Sequence, residues 1–188
     1  MGKFTKISRQ AFAGMQLDAG VLLRQFDPET AAVPADADII CATAGGVEAS
    51  CEASYKDLGE DVDNCPANMM ELKYLQDWTC TLRFKALEIT PETLRLALGA
   101  ADTDGDLVYP RGHLKDGDFG EIWWVGDRAD GGMAAICLSN ALSKEGLKFQ
   151  SKAAGKGELD VELLGHASFA EPGAPPMCFY AAAGEAEA

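Results

Sequence analysis

The chain has 188 residues, 47% of them apolar, which suits one globular domain with a sizeable core. A formal net charge of −14 argues against tight nucleic-acid binding, which needs clustered Lys and Arg to replace counterions, and against an anionic membrane surface. Nothing in it approaches the ~20 consecutive apolar residues of a membrane-spanning helix.

The basic start (Lys3, Lys6, Arg9) runs into Gln16 and Asp18 without an apolar signal core. Met1-Gly2 opens like an acylation motif, but Lys6 stands where Ser or Thr is needed. The chain is therefore expected to be made and kept in the cytoplasm. Residues 1–14 have no clear period and read as an arm that orders only against a neighbour. Met15 to Phe26 reads as a strand ended by Asp27-Pro28, residues 29–37 as loop, and Asp38 to Thr43 as a short apolar strand closed by a turn at Gly45-Gly46.

The cleanest alternation follows. Val47, Ala49, Cys51, Ala53 and Tyr55 take one face, Glu48, Ser50, Glu52, Ser54 and Lys56 the other, as in a half-solvated antiparallel strand. A second alternating strand puts Trp78, Cys80, Leu82, Phe84 and Ala86 inward and Thr79, Thr81, Arg83 and Lys85 outward. One polar face is acidic and the other basic, so pairing the two strands sets opposite charges side by side. Between them lies a long loop, 57–70, with Asp57, Leu58, Glu60, Asp61, Asp63 and Asn64. Loops of that length in compact domains are usually functional or disordered.

Thr90-Pro91-Glu92 opens a helix, with Thr as N-cap, Pro at the first position and Glu at the positive end of the dipole; Gly99 stops it. Residues 100–118 read as an acidic loop. Past residue 142, Leu147 and Phe149 alternate with Lys148 and Gln150, and Leu159, Val161 and Leu163 with Asp160 and Glu162. Met177 to Ala181 is a last strand, and the tail 182–188 is expected to lack order. The sum is seven to nine strands and one helix: a mainly β, antiparallel β-sandwich with a flanking α-helix, in one domain over 1–188.

Chemistry is sparse. Asp102-Thr-Asp-Gly-Asp106 imitates the start of a calcium loop, but Leu107 replaces the required Gly and His113 the closing Glu, so it reads as an acidic turn. His113 and His166 are too few and too isolated for zinc. The six cysteines (41, 51, 65, 80, 137 and 178) have no C-x-x-C spacing and are expected as free thiols packed like small apolar groups. No hydrolase elbow, phosphate loop or metalloprotease motif occurs. No catalytic residue, metal site or cofactor is assigned.

The stretch Phe119 to Leu142 organises the chain. Phe-Gly-Glu-Ile-Trp-Trp-Val-Gly-Asp (119–127) and the wholly apolar Met133–Leu138 flank a Gly- and Asp-rich turn, a hairpin signal. Trp123 and Trp124 point to opposite faces, and burying each removes ~150–250 Å² from water. Such a hairpin needs cover on both faces, as a central strand pair or at a subunit interface. Trp78, Trp123 and Trp124 are the candidate core or interface anchors.

The run Asp118–Asp127, with Tyr-Pro-Arg (109–111) before it and Leu-Ser-Asn-Ala-Leu-Ser (138–143) after it, resembles the major tail tube proteins of long-tailed phages and prophages of Gram-positive bacteria. Ile89–Thr93, Leu98–Asp102, Lys156-Gly157 and Gly165-His166 extend the resemblance over roughly residues 40–170. Members often carry an extra C-terminal Ig-like domain, for which this chain stops too early.

The resemblance implies a structural virion protein, assembled in the bacterial host cytoplasm and working in the phage tail. Six copies would join their sheets into a ring, and rings would stack through a long loop and terminal arms. Expected partners are further copies, the tape-measure protein, the tail terminator and the distal tail or baseplate proteins. Double-stranded DNA would pass without specific binding. Glu48, Ser50, Glu52, Thr79, Thr81 and Arg83 are the candidate lumen-facing residues, and the 57–70 loop is the candidate ring-to-ring contact. The second face of the tryptophan hairpin would meet either the 90–99 helix or a neighbouring subunit. The rivals are a monomeric β-sandwich binding module and, further off, a small enzyme with an acidic cleft.

Overall fold

A computed structural model describes residues 7, 8 and 11–184. Among them it contains ten strands and one α-helix, and every strand pairing is antiparallel. The mainly β class with one helix, expected from the alternations, is what the chain adopts.

Two sheets share one strand. The first contains β1 (Gln16–Leu23), β6 (Gly120–Arg128), the start of β7 (Met133–Ser143) and β10 (Met177–Ala182). The second runs from β2 (Thr43–Asp57) through β3 (Lys73–Ala86) to β9 (Glu158–Leu164). On the outer side of β9 lie the end of β7, where Leu142 meets Leu164, and β8 (Lys148–Gln150). Segment 39–42 joins the sheets at their far margins: the Ile40 N–H donates to Leu22 O and the Leu87 N–H to Ala42 O, each at 2.9 Å.

Between the sheets sits the main core, in which Leu22, Leu82, Phe84, Leu138, Val161 and Leu163 are buried. A smaller cluster of Leu23, Trp123, Ala135 and Cys137 lies on the other face of the first sheet, with Phe26 and Val125 against it. Adjacent residues of one strand, Leu22 and Leu23 or Trp123 and Trp124, thus serve different cores, as the two-residue period of a strand requires.

The helix α1 (Pro91–Leu98) forms where its signals lie. The Thr90 hydroxyl accepts from the Thr93 N–H at 3.2 Å, Thr93 Oγ1 accepts from the Thr90 N–H at 2.9 Å, and Gly99 ends the helix at φ 75°. Ala97 is buried, and the helix packs against β7, β9 and the small hairpin of β4 (Ala101–Asp104) and β5 (Leu107–Pro110).

Several expectations are corrected. The stretch 100–118 is no plain loop: β4 and β5 pair within it, a hairpin that Asp102, Asp104, Gly105 and Asp106 disguise because Asp and Gly are poor strand formers. Asp38–Thr43 is not a strand of its own: Ile39 makes a single bridge to Leu23, and Thr43 already belongs to β2. Gly45 and Gly46 do not turn the chain. They lie inside β2 at φ 77° and 81°, where a bulge between Ala44 and Val47 lets the ladder continue to Thr43 opposite Ala86. Of the expected tail, Ala182 instead completes β10 opposite Met133, and residues 185–188 lie outside the described residues. So do residues 1–6, 9 and 10 of the expected arm. No described helix is long and apolar enough to cross a membrane.

Candidate functional site

The six residues expected on one polar face lie there together. Glu48 faces Arg83, Ser50 faces Thr81 and Glu52 faces Thr79 across the β2–β3 ladder. Ser50 and Thr81 are half-buried and the other four exposed. The face continues onto β9, where Arg83 meets Glu162 and Lys85 meets Asp160 in register.

Its cations are held by carboxylates. Arg83 reaches Glu162 at 2.6 Å and Lys144 reaches the other oxygen of Glu162 at 2.8 Å; Lys85 contacts Glu158 at 3.0 Å, and Lys152 bonds the second Glu158 oxygen. Lys148 pairs with Glu145. Glu162 is only 8% exposed, a buried charge that two cations make tolerable. Hydrogen bonds from Lys144 and then Arg83 hold its carboxyl below the ordinary value; Lys152 and Lys85 do the same for Glu158. At the bulged end of β2 the face dips into an open groove of about 650 Å³ between Gly45, Gly46, Lys85, Lys148 and Asp160.

The β2–β3 hairpin outruns the core. Cys51 and Cys80 form its last covered inward rung. Beyond them Ala53 faces Trp78, then Tyr55 faces Leu75. Trp78 is 40% exposed and Tyr55 61%. Trp78, expected to point into the core, is therefore corrected to a partly exposed position on a projecting arm: its alternation is right, but the described residues only partly cover that end of the strand. Leu58, Val62, Met69, Met70 and Tyr74 add further exposed apolar surface to the same arm.

The connecting loop is organised from within. Because the strands reach Asp57 and Lys73, it spans 58–72. The Asp57 carboxylate accepts from the Gly59 N–H at 3.0 Å and the Asn68 N–H at 2.9 Å, and Lys73 Nζ lies 3.5 Å away. The Gly59 N–H first, and then the Asn68 N–H, hold the Asp57 carboxyl below its usual value. Asp57 is thus a folding residue of the loop. Leu58, Glu60, Asp61, Asp63 and Asn64 are exposed, with Asp61 and Asn64 at positive φ.

The tryptophan hairpin is central, as its composition required: β1 flanks β6, and β10 and β9 flank β7. Trp123 is 5% exposed and stacks edge-on against Phe26 at 5.7 Å, with Tyr180 also at 5.7 Å. Cover for this second face therefore comes from the segment after β1, and α1, one of the two expected covers, packs on the other side. Trp124 is half-buried; its indole N–H donates to Ala19 O at 2.9 Å, across a bulge of β1 between Leu17 and Val21. Beside Val21 and Val125 an apolar groove of about 600 Å³ remains, lined also by Leu17, Val33 and Met133.

Sequence reasoning missed one charged knot. Arg111 bonds Asp118 at 2.5 Å, and its Nε lies 2.9 Å from Asp102, a contact without hydrogen-bond alignment. Lys115 and Arg95 add to it. Burial pushes the Asp118 carboxyl up, but the Lys115 N–H and the Arg111 guanidinium outweigh it and hold the group below its ordinary value. The acidic turn expected at 102–106 is the end of β4 and the two-residue connection Gly105-Asp106 to β5, with Asp102 occupied by Arg111 and Lys115. His166 follows β9, bonded through Nδ1 to Asn140 O at 3.0 Å and edge-on to Phe119. Among the described residues no group of three or more His, Cys, Asp or Glu converges to hold a metal.

No protein-family model matches the chain, and no curated protein matches it.

Proposed function

We propose that this chain is a self-assembling structural subunit of the phage tail tube kind, whose rings stack into a conduit for DNA. The observation that carries the reading is the β2–β3 hairpin, which runs past its own core carrying Tyr55, Leu58, Met70, Tyr74 and Trp78 into solvent. Contiguous exposed apolar surface marks an interaction site. A further copy of the chain is the occupant that the resemblance of residues 118–127 and their flanks supplies.

In this reading six copies join sheet edges into a ring, which removes unpaired margins such as the outer edge of β2. The 58–72 loop then meets the next ring. The polar face of β2, β3 and β9 lines the lumen. Its cations are engaged by Glu162, Glu158 and Glu145, which suits a wall that must not grip phosphates. The tape-measure protein would fill the tube during assembly, and terminator and distal tail or baseplate proteins would close its ends. The protein would act in the virion after assembly in the host cytoplasm, without catalysis or cofactor.

Shortening the 58–72 loop tests the assignment. The expected product keeps the β-rich circular dichroism of the parent and forms no tubes on electron micrographs. Tubes that persist in the shortened protein would remove the loop from the contact.

A further inference from the structure

Cys51 and Cys80 stand directly opposite each other on β2 and β3, with their sulfurs 2.8 Å apart and both thiols free. We propose that this pair is a redox site: exchange with a low-molecular-weight disulfide closes it into a cross-strand disulfide that pins the projecting hairpin. Directly opposed residues of an antiparallel pair have Cα atoms ~4.5–5.5 Å apart, inside the ~4.4–6.8 Å window that a disulfide spans. Closure therefore needs little movement of the backbone.

The position gives the bond its effect. Toward Ala86 the hairpin is buried on its inner face, and toward Trp78 it is uncovered. A covalent link on the last covered rung ties the free arm to the anchored half. The two cysteines lie 29 positions apart, so the bond also closes the whole 58–72 loop into a ring.

The chemistry balances with one oxidant. Cys51, the more exposed of the two, attacks the external disulfide as a thiolate, forming a mixed disulfide and releasing one thiol. The Cys80 thiolate then attacks Cys51 Sγ, forming the internal bond and releasing the second thiol. Two electrons and two protons pass from the protein to the reagent. In the dithiol, burial and then the hydrogen bond with Cys51 push the Cys80 thiol up to about 12; burial still raises it in the mixed disulfide, so closure accelerates as the pH rises. The inference stands whether or not the chain forms tubes.

The test is incubation of the full chain with oxidised or reduced glutathione, alkylation of the remaining thiols, and mass mapping of the peptides without reduction. A linked peptide pair containing Cys51 and Cys80, present only after oxidation and reopened by reduced glutathione, is the expected result. A persistent glutathione adduct on Cys51, a link confined to the opposed pair Cys137 and Cys178, or six alkylated thiols would each overturn it. Cys51→Ala, checked for native tryptophan fluorescence, should leave Cys80 unlinked; the mapping of the unaltered chain decides the matter even if that variant folds poorly.

Discussion

Trp78 and Trp123 share a side chain and an origin in strand alternation, yet the structure gives them opposite work. Trp123 is enclosed by Leu23, Phe26 and Tyr180, and Trp123→Ala should cost about 3–5 kcal/mol in urea unfolding. Trp78→Ala removes a ring that already meets solvent and should cost less than about 1 kcal/mol while weakening association. Alternation shows which way a side chain points; it does not show whether anything lies there to cover it. The Arg111–Asp118 pair was hidden for a related reason, since seven positions along the chain say nothing of a fold that closes them to 2.5 Å. Both side chains are almost fully enclosed, so Arg111→Ala leaves a buried carboxylate without its partner and should cost about 3 kcal/mol. Asp118, Glu158 and Glu162 all have folded-state values below their ordinary ones. The stability they contribute is complete above the unfolded carboxyl range of ~4 and is lost as pH falls through the lowered values. The urea midpoint should hold from pH 7 to about pH 5 and drop steeply below about pH 4; a midpoint unchanged down to pH 3 would contradict the ion pairing described.

At the scale of elements, the long alternating strands and the capped helix were legible because each rests on a local rule. β2, β3 and β9 follow the two-residue period, and α1 begins and ends on its capping signals. The β4–β5 hairpin and the continuation of β2 through Gly45-Gly46 were not, since four-residue strands are too short to show a period and bulges are defined by their partners. The bulge of β1 is another such case. Gly20 has φ 69°, and a Cβ there would lie 2.5 Å from Val125 O and 2.6 Å from the Trp124 indole nitrogen. Gly20→Ala should therefore lower stability by about 1–3 kcal/mol and disturb the Trp124 environment, read as a shift in tryptophan emission. Within the projecting hairpin, Asp57→Ala removes the acceptor shared by Gly59 and Asn68. Limited proteolysis should then cut inside 58–72 several-fold faster, with the strand content unchanged.

For the whole molecule, the polar face and the apolar arm say different things about partners. The face is polar on β2, β3 and β9 together, and its charges largely neutralise one another, so it neither packs nor attracts strongly. The arm and the groove near Val21 expose apolar surface that the chain does not cover with its own described residues. A net charge of −14 says nothing of where such apolar surface collects. Self-association through that surface is the claim on which the functional reading stands. Size-exclusion chromatography with light scattering on the concentrated protein, followed by negative-stain imaging of the same fractions, measures it directly. Rings and tubes of many 19.9 kDa copies are expected; single 19.9 kDa particles at every concentration tried would contradict it.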